Sequence, residues 1–400
     1  MKILYIHHCG VFGGASKSLF ENIKILHSSC NIDPVIVTPY GSTADIFSET
    51  IKKTYKVSGI CKFDHTIVGY YQKFRWLVLF REFAYILPTI IVLLKIRKRE
   101  KGIDLIHVND ICSIFPALLA KIIFKIPCII HARTVLSDDG SWRRYFIAKL
   151  LSSYMDKVIA IDENVRDSLP HKENCIIVHN GLCMDGIDID SISCKNRNEK
   201  LVVGFLGNYL KQKGIYEFVQ SAYECKKQNL PIDFCIVGPK NINKSILSRI
   251  LSFFKIKEEM VGLIDAYVER NKLDNIKFIP FQKDIRTIMP MIDLLCFPSK
   301  MEGIGRPVFE AAFFKKPSIV ALSNPKNDTF INYKTGIVIP AGTVLNLVSA
   351  YRFFLNHPNE IGTMGNFAHS FACQKFDIQA NTLNIFEAYN NVANKKNIKE

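Results

Sequence analysis

Short apolar runs rich in β-branched residues alternate along the chain with longer stretches of helical periodicity. In the first half the runs are Lys2–His8, Asp33–Pro39, Asp104–Asp110, Pro127–Arg133, Lys157–Glu163 and Cys175–Gly181. Between the first two, a glycine turn leads into a helix from about Ala15. A polar stretch, 183–200, then reads as a linker. The alternation restarts with Leu201–Gly207, Asp233–Pro239, Ile276–Phe281, Asp293–Ser299, Pro317–Leu322 and Gly336–Pro340, and Gly214–Lys227 is one of the helical runs between them. Continuous apolar strands with helices between them imply parallel sheets covered on both faces. Four hundred residues exceed what one core usually serves. The pattern therefore predicts an α/β protein of two Rossmann-like domains, 1–182 and 201–374. Ligands of such sheets bind beyond the carboxyl ends of the strands, so the cleft between the domains is the expected site.

The composition, 48% hydrophobic and 22% charged, is that of a globular protein. The net charge of +15 points to an anionic partner: nucleic acid, anionic lipid or an anionic substrate. Residues 62–101 hold nine Lys/Arg against three Asp/Glu, interleaved with aromatic and aliphatic residues across Tyr70–Pro88 and ending in "KIRKRE". That segment suits an anionic membrane surface; ordinary helices with a solvated basic face read equally well. Its uncharged run, Phe83–Leu94, is interrupted by Pro88 and is too short for a span of about 20 residues. The start, "MKILYI", lacks a signal-peptide pattern. The twelve cysteines show no C-x-x-C spacing, and Cys128, Cys235 and Cys296 lie in apolar runs, as buried thiols of a reducing compartment do. No metal site is expected, and the cytoplasm is the expected location.

Three turns carry candidate chemistry. "CGVFGGASKSL" (Cys9–Leu19) has Gly13 and Gly14 ahead of a helix, which permits close backbone approach to a ligand or serves turn geometry alone. It matches neither a dinucleotide fingerprint nor a Walker loop. "GFLGNYLKQKG" (Gly204–Gly214) places Lys211 and Lys213 after a strand, as a diphosphate site or a solvated pair. "KMEGIGRPVFEA" (Lys300–Ala311) sets Glu302 at the end of a strand and Glu310 beyond it, with seven residues between them. Gly303 and Gly305 permit close approach, Pro307 suits a first helical position, and Glu310 then falls in the first turn. Two such carboxylates suit the hydroxyls of a nucleotide sugar; a loop acid and a dipole-complementing acid read as well.

The glutamate-seven-residue-glutamate element of "EGIGRPVFEA" resembles the signature of the retaining GT-B glycosyltransferases, family four. "GFLGNYLKQKG", "IKFIPF", "DLLCFPS", "KKPSIVAL", "YKTGIVIP", "VHNGL" and "FGGASKSL" resemble further family elements in order and spacing. The resemblance is firm across roughly 200–340 and looser across 1–180. It implies a GT-B fold, two Rossmann-like domains facing each other across a cleft, with segment 375–400 ending in a helix that returns to the first domain. It implies that Glu310 holds ribose hydroxyls and that Glu302 contacts the donor sugar near the reaction centre. Backbone groups of Gly303, Ile304, Gly305 and Arg306 would line sugar and phosphates, and Lys213 would meet the diphosphate near Gly207. Gly13 and Gly14 would approach the donor from the first domain. His131 matches a histidine placed beside the transferring sugar; His7 and His8 are weaker candidates. Asn208 departs from the pattern, because the family commonly has arginine there, and Lys211 would make up the missing charge.

The activity so implied is retaining transfer of a hexose-type sugar from a nucleotide-diphosphate donor to a hydroxyl of a glycan or lipid-linked acceptor. It requires no cofactor or metal. The setting would be surface polysaccharide assembly (O-antigen or capsule), peripheral on the inner face of the cell membrane. A nucleotide-sugar epimerase of double-Rossmann form is the alternative. A basic nucleic-acid-binding protein is a further one, although no recognition motif is present. Asp188 and Asp190 have the spacing of a metal-binding pair but lie in the linker stretch.

Overall fold

The computed structural model describes residues 1–63, 78–136, 142–169, 172–183, 200–239, 260–282, 284–301 and 303–397. Glu302, Asp188, Asp190, nearly all of the linker stretch and part of the basic segment lie outside the described residues. The chain forms two compact units. One comprises Met1–Cys183 together with Phe376–Glu400, the other Met184–Lys375.

The first unit is built on seven parallel strands: β1 Lys2–His7, β2 Asp33–Pro39, β3 Thr54–Val57, β4 Leu105–Asn109, β5 Cys128–Ala132, β6 Lys157–Ala160 and β7 Cys175–Ile177. Their order is β3-β2-β1-β4-β5-β6-β7. Side chains alternate between faces along each strand. Ile3, Tyr5, Leu105 and Ile129 therefore pack under the helices Gly14–Ser29 and Ile378–Asn397. Leu4, Ile6, Ile106, Val108 and Ile130 pack under the helices Ile86–Arg99, Ile114–Phe124 and Trp142–Tyr154. Burying each such Leu, Ile or Val is worth about 1.5–3 kcal/mol, so a doubly covered sheet is strongly favoured. The pattern missed β3, whose "TYKV" is a short edge strand half exposed to solvent.

The second unit repeats this plan with six parallel strands: β8 Leu201–Leu206, β9 Ile232–Val237, β10 Ile276–Ile279, β11 Leu294–Phe297, β12 Ser318–Ala321 and β13 Gly336–Ile339. Their order is β10-β9-β8-β11-β12-β13. Most strands stop one to three residues earlier than the apolar runs suggest, because the last residues of each run turn into the loop. Cys128, Cys235 and Cys296 are buried within strands, as their apolar neighbours imply.

Some helices are capped by side chains. Asp162 accepts from Val165 N–H at 2.7 Å, and Thr343 accepts from Asn346 N–H at 3.4 Å. The helices Gly14–Ser29 and Arg306–Phe313 start instead at Gly13 and Gly305, with no side-chain cap.

The carboxyl-terminal helix is fixed to the first sheet by polar as well as apolar contacts. Tyr389 OH meets His107 Nδ1 at 2.7 Å, and Thr382 Oγ1 donates to Asn22 Oδ1 at 3.0 Å. Tyr389→Phe strips a buried histidine nitrogen of its partner and is expected to cost about 1–3 kcal/mol. Urea unfolding of the full chain measures this; an unchanged midpoint would show that the hydroxyl contributes nothing.

Candidate functional site

In the first unit, polar residues gather where β1, β4 and β5 end. The strand register sets His7 beside Asn109 and Asn109 beside His131. All three are buried, and buried polar groups need partners. Arg133, two residues past His131, donates from Nε to Asn109 Oδ1 and from Nη1 to Asn180 Oδ1, both at 2.5 Å. Its Nη2 lies 3.5 Å from His131 Nδ1. Asn109 Nδ2 meets His7 Nδ1 at 2.9 Å, and His7 Nε2 meets Ser16 Oγ at 2.8 Å. Ser16 stands in the first turn of the helix Gly14–Ser29, so the network reaches the glycine turn. His8 joins separately, with Nδ1 2.8 Å from Ser113 Oγ.

Burial, followed by the Arg133 charge, pushes the His7 imidazole down to about 3. The same two causes, with His107 next, hold His131 well below the usual histidine range. These rings are neutral hydrogen-bonding groups rather than acids or bases at neutral pH. His131 Nε2 is buried and meets no hydrogen-bond partner. Asp110 has a left-handed backbone, φ 97°, and a buried carboxylate that accepts from Ile111 N–H, Arg133 N–H and the Thr134 hydroxyl. Burial raises its pKa.

Gly13 and Gly14 need not be glycine for any reason within the protein. A Cβ built at either meets no atom within 4 Å. Gly10, by contrast, is packed against Tyr40 O, 2.7 Å from such a Cβ. The first two glycines border open space; the third is structural.

In the second unit, two motifs 90 residues apart in sequence are knitted into one edge. Lys300 N–H donates to Gln212 O at 2.8 Å, and Ser299 Oγ to the same oxygen at 3.3 Å. Gly214, φ 73°, lies so close that a Cβ would sit 2.0 Å from Pro298 O. Gly207, exposed Asn208, exposed Lys211 and half-buried Lys213 follow β8 on this edge. The Lys213 ammonium sits 5.1 Å from the Phe297 ring centre, and burial lowers its pKa. That same ring is 2.5 Å from where a Gly305 Cβ would stand. Phe297 thus joins Lys213 to the start of the helix Arg306–Phe313. There the N–H groups of Gly303, Ile304 and Gly305 have no acceptor among the described residues. Three successive half-buried N–H groups beside a lysine form a cradle for an anion.

Two family models match the chain. One, described as Glycosyltransferase Family 4, covers residues 12–185. The other, Glycosyl transferases group 1, covers residues 188–370. The chain is a GT-B glycosyltransferase of the family 4 type. Its curated relatives include the capsular polysaccharide biosynthesis glycosyltransferase CapM of Staphylococcus aureus. That protein is 22% identical over 249 residues, which cover 59% of this chain and 61% of the relative. The O-antigen biosynthesis glycosyltransferase WclY of Escherichia coli is 22% identical over 246 residues, covering 56% of this chain and 63% of that protein. The match thus spans about six tenths of the length of these relatives. Among solved structures, Anabaena Alr3699/HepE in complex with UDP-glucose superposes with a TM-score of 0.73 at 18% identity, covering 98% of this chain and all of the other.

For this GT-B chain the signature helix differs from the sequence expectation in one respect. It begins at Arg306, not Pro307, which puts Glu310 at its fifth position, beyond the first turn. Glu310 lies inside this helix. It is buried, and Arg306 Nε donates to its Oε1 at 2.9 Å. Asn109, Asp110, Arg133 and Asn180 escaped the sequence reading. Their common signal is position: each is a polar residue at the carboxyl end of an apolar run, in "HVND", "IIHAR" and "IIVHNG". Among the described residues, no group of three or more His, Cys, Asp or Glu could hold a metal ion.

His7, His107 and His131 are buried and His8 is half-buried; all four have lowered pKa values, so each gains a proton on unfolding in mild acid. Their contribution to stability is full above about pH 6.5 and declines as the pH falls, for His7 and His107 down to about pH 3, by up to about 1.4 kcal/mol per pH unit and histidine. Asp110, shifted upward, offsets part of this. Urea midpoints measured from pH 7.5 to 5 are expected to fall steadily; midpoints constant across that range would contradict the neutral, buried assignment.

Proposed function

We propose that the protein moves a hexose-type sugar from a nucleoside-diphosphate donor to a hydroxyl of a lipid-linked glycan, with retention, in surface polysaccharide assembly. The observation that carries this reading is the anion cradle of Gly303–Gly305 with Lys213 beside it. In the proposed reaction the bond from the sugar's anomeric carbon to the diphosphate oxygen breaks, and the diphosphate keeps the electron pair. The acceptor oxygen bonds to the anomeric carbon on the same face, and its proton passes to the departing diphosphate. Negative charge grows on that diphosphate in the transition state, where Lys213 and the free N–H groups favour it without a metal. Glu310 and Glu302 take the ribose and sugar hydroxyls; Gly13, Gly14 and His131 are the sugar-contacting candidates of the first unit. CapM and WclY, named for capsule and O-antigen biosynthesis, support the polysaccharide setting, and the UDP-glucose bound by Alr3699/HepE supports a nucleotide-sugar donor.

The acceptor lipid has a docking face in the same proposal. Phe83, Leu87, Ile91 and Leu94 are each at least half exposed and recur at helical spacing. The other side of the helix Ile86–Arg99 is buried through Val92, Leu93 and Ile96. Exposed Lys95, Lys98 and Arg99 follow the apolar stripe, and Trp142 and Tyr145 are exposed on a further helix of the same layer. An apolar stripe flanked by cations matches an anionic bilayer surface, here the cytoplasmic leaflet, at about 1 kcal/mol for each basic residue near it.

Incubation with a panel of UDP-, GDP- and ADP-sugars and a lipid-linked acceptor is expected to release nucleoside diphosphate and glycosylated lipid. An isomerised donor with no transfer would establish the epimerase instead. Gly14→Ala is expected to leave the urea midpoint unchanged while raising donor KM about tenfold, and Glu310→Ala to weaken donor binding by a similar factor, ~1.4 kcal/mol. Glu302→Ala should lower kcat more than it raises KM. Full donor affinity in both the Gly14 and Glu310 variants would sink the site assignment.

Cosedimentation with phosphatidylglycerol vesicles at low salt is expected for the native chain, and its loss in Leu87→Asp/Ile91→Asp. No sedimentation, with a dimer that the same substitutions dissolve, would assign this face to a second copy of the chain.

A further inference from the structure

Arg133 is the one member of the first-unit network that can only donate hydrogen bonds. Asn109 Oδ1, not its nitrogen, must therefore face Arg133 Nε. The Asn109 amide nitrogen then faces His7 Nδ1 and donates to it. A neutral His7 that accepts at Nδ1 carries its proton on Nε2 and donates to Ser16 Oγ. Ser16, having accepted, is left to donate its own proton to Val11 O in the glycine turn, 3.5 Å away. On the other side, His131 Nδ1 accepts from Arg133 Nη2, so its proton sits on the buried, unpartnered Nε2.

We propose that Arg133 is a positioning residue whose donor-only guanidinium sets the direction of every hydrogen bond from the Asn180 loop to the glycine turn, fixing His7 and His131 as Nε2–H tautomers. His131 thereby offers a neutral N–H, rather than a lone pair, at the carboxyl edge of the sheet. Burial and the Arg133 charge keep both rings unprotonated, which the tautomer argument requires. The tautomers follow from the network alone. Their use as a donor towards a sugar or acceptor oxygen rests on the function proposed above.

Long-range proton–nitrogen NMR of histidine-labelled full-length protein at neutral pH reads the tautomers without any substrate. Nε2–H is expected for both His7 and His131; Nδ1–H on His7 in the native protein overturns the proposal outright. Asn109→Asp keeps an acceptor for Arg133 but offers no donor to His7. It is expected to place a proton on His7 Nδ1 and leave His131 unchanged. Arg133→Met should release both rings to mixed tautomers, and Arg133→Lys should keep Nε2–H on His7. Should Arg133→Met fail to fold, the native spectrum and Asn109→Asp still decide the matter. Unaltered tautomers in Asn109→Asp and Arg133→Met would reduce Arg133 to a packing role. In the transfer assay, Arg133→Met is expected to lower kcat about a hundredfold with little change in donor KM. Shifted tautomers with unchanged kcat would keep the network and remove its link to the reaction.

Discussion

A strand in the middle of a parallel sheet with helices on both faces has no exposed surface except at its ends. That constraint organises both units. The interior positions of β1, β4 and β5, and of β8 and β11, are committed to aliphatic packing. Polar chemistry is pushed to the few residues where a strand gives way to a loop. Because all strands run the same way, these residues share one edge in each unit. His7, Asn109 and His131 are neighbours for that reason and no other: parallel register aligns the last residues of three strands that are far apart in sequence.

Helix starts in the two units take different forms. Some begin at an Asp or Thr cap, as at Asp162 and Thr343. Gly13 and Gly305 begin their helices without one. At Gly305 the reason is partly packing, since the Phe297 ring excludes any side chain. At Gly13 and Gly14 no protein atom stands in the way of a side chain. Lys213 completes the second-unit edge: its ammonium is held half-buried against an aromatic ring instead of in solvent.

Twelve of the thirteen strands were legible in the sequence, because doubly buried strands are continuous apolar runs with few competing interpretations. The edge strand at Thr54 was not, since half-exposed "TYKV" carries no such run. The signature around 300–311 was legible from its glycines and acids, but the ion pair between Arg306 and Glu310 was not. A helix start shifted by one residue is invisible in sequence, and so is the side-chain pairing within the helix. The Arg133 network was missed for a different reason. Its members come from strand ends, a helix start and loops far apart in sequence, and only tertiary register makes Asn109, Arg133 and Asn180 partners. The exposed stripe from Phe83 to Leu94 shows the opposite case: composition flagged the region, while the structure supplied which of its apolar residues are left uncovered.

The central claim is that the carboxyl edge of the second sheet holds the diphosphate of an activated sugar through backbone N–H groups and Lys213. Amide hydrogen exchange of the full chain, with and without the nucleoside diphosphate of the donor that turns over, tests it most directly. Protection is expected at 303–306 and across 207–214. Binding of the nucleotide with exchange unaltered in both segments would contradict it.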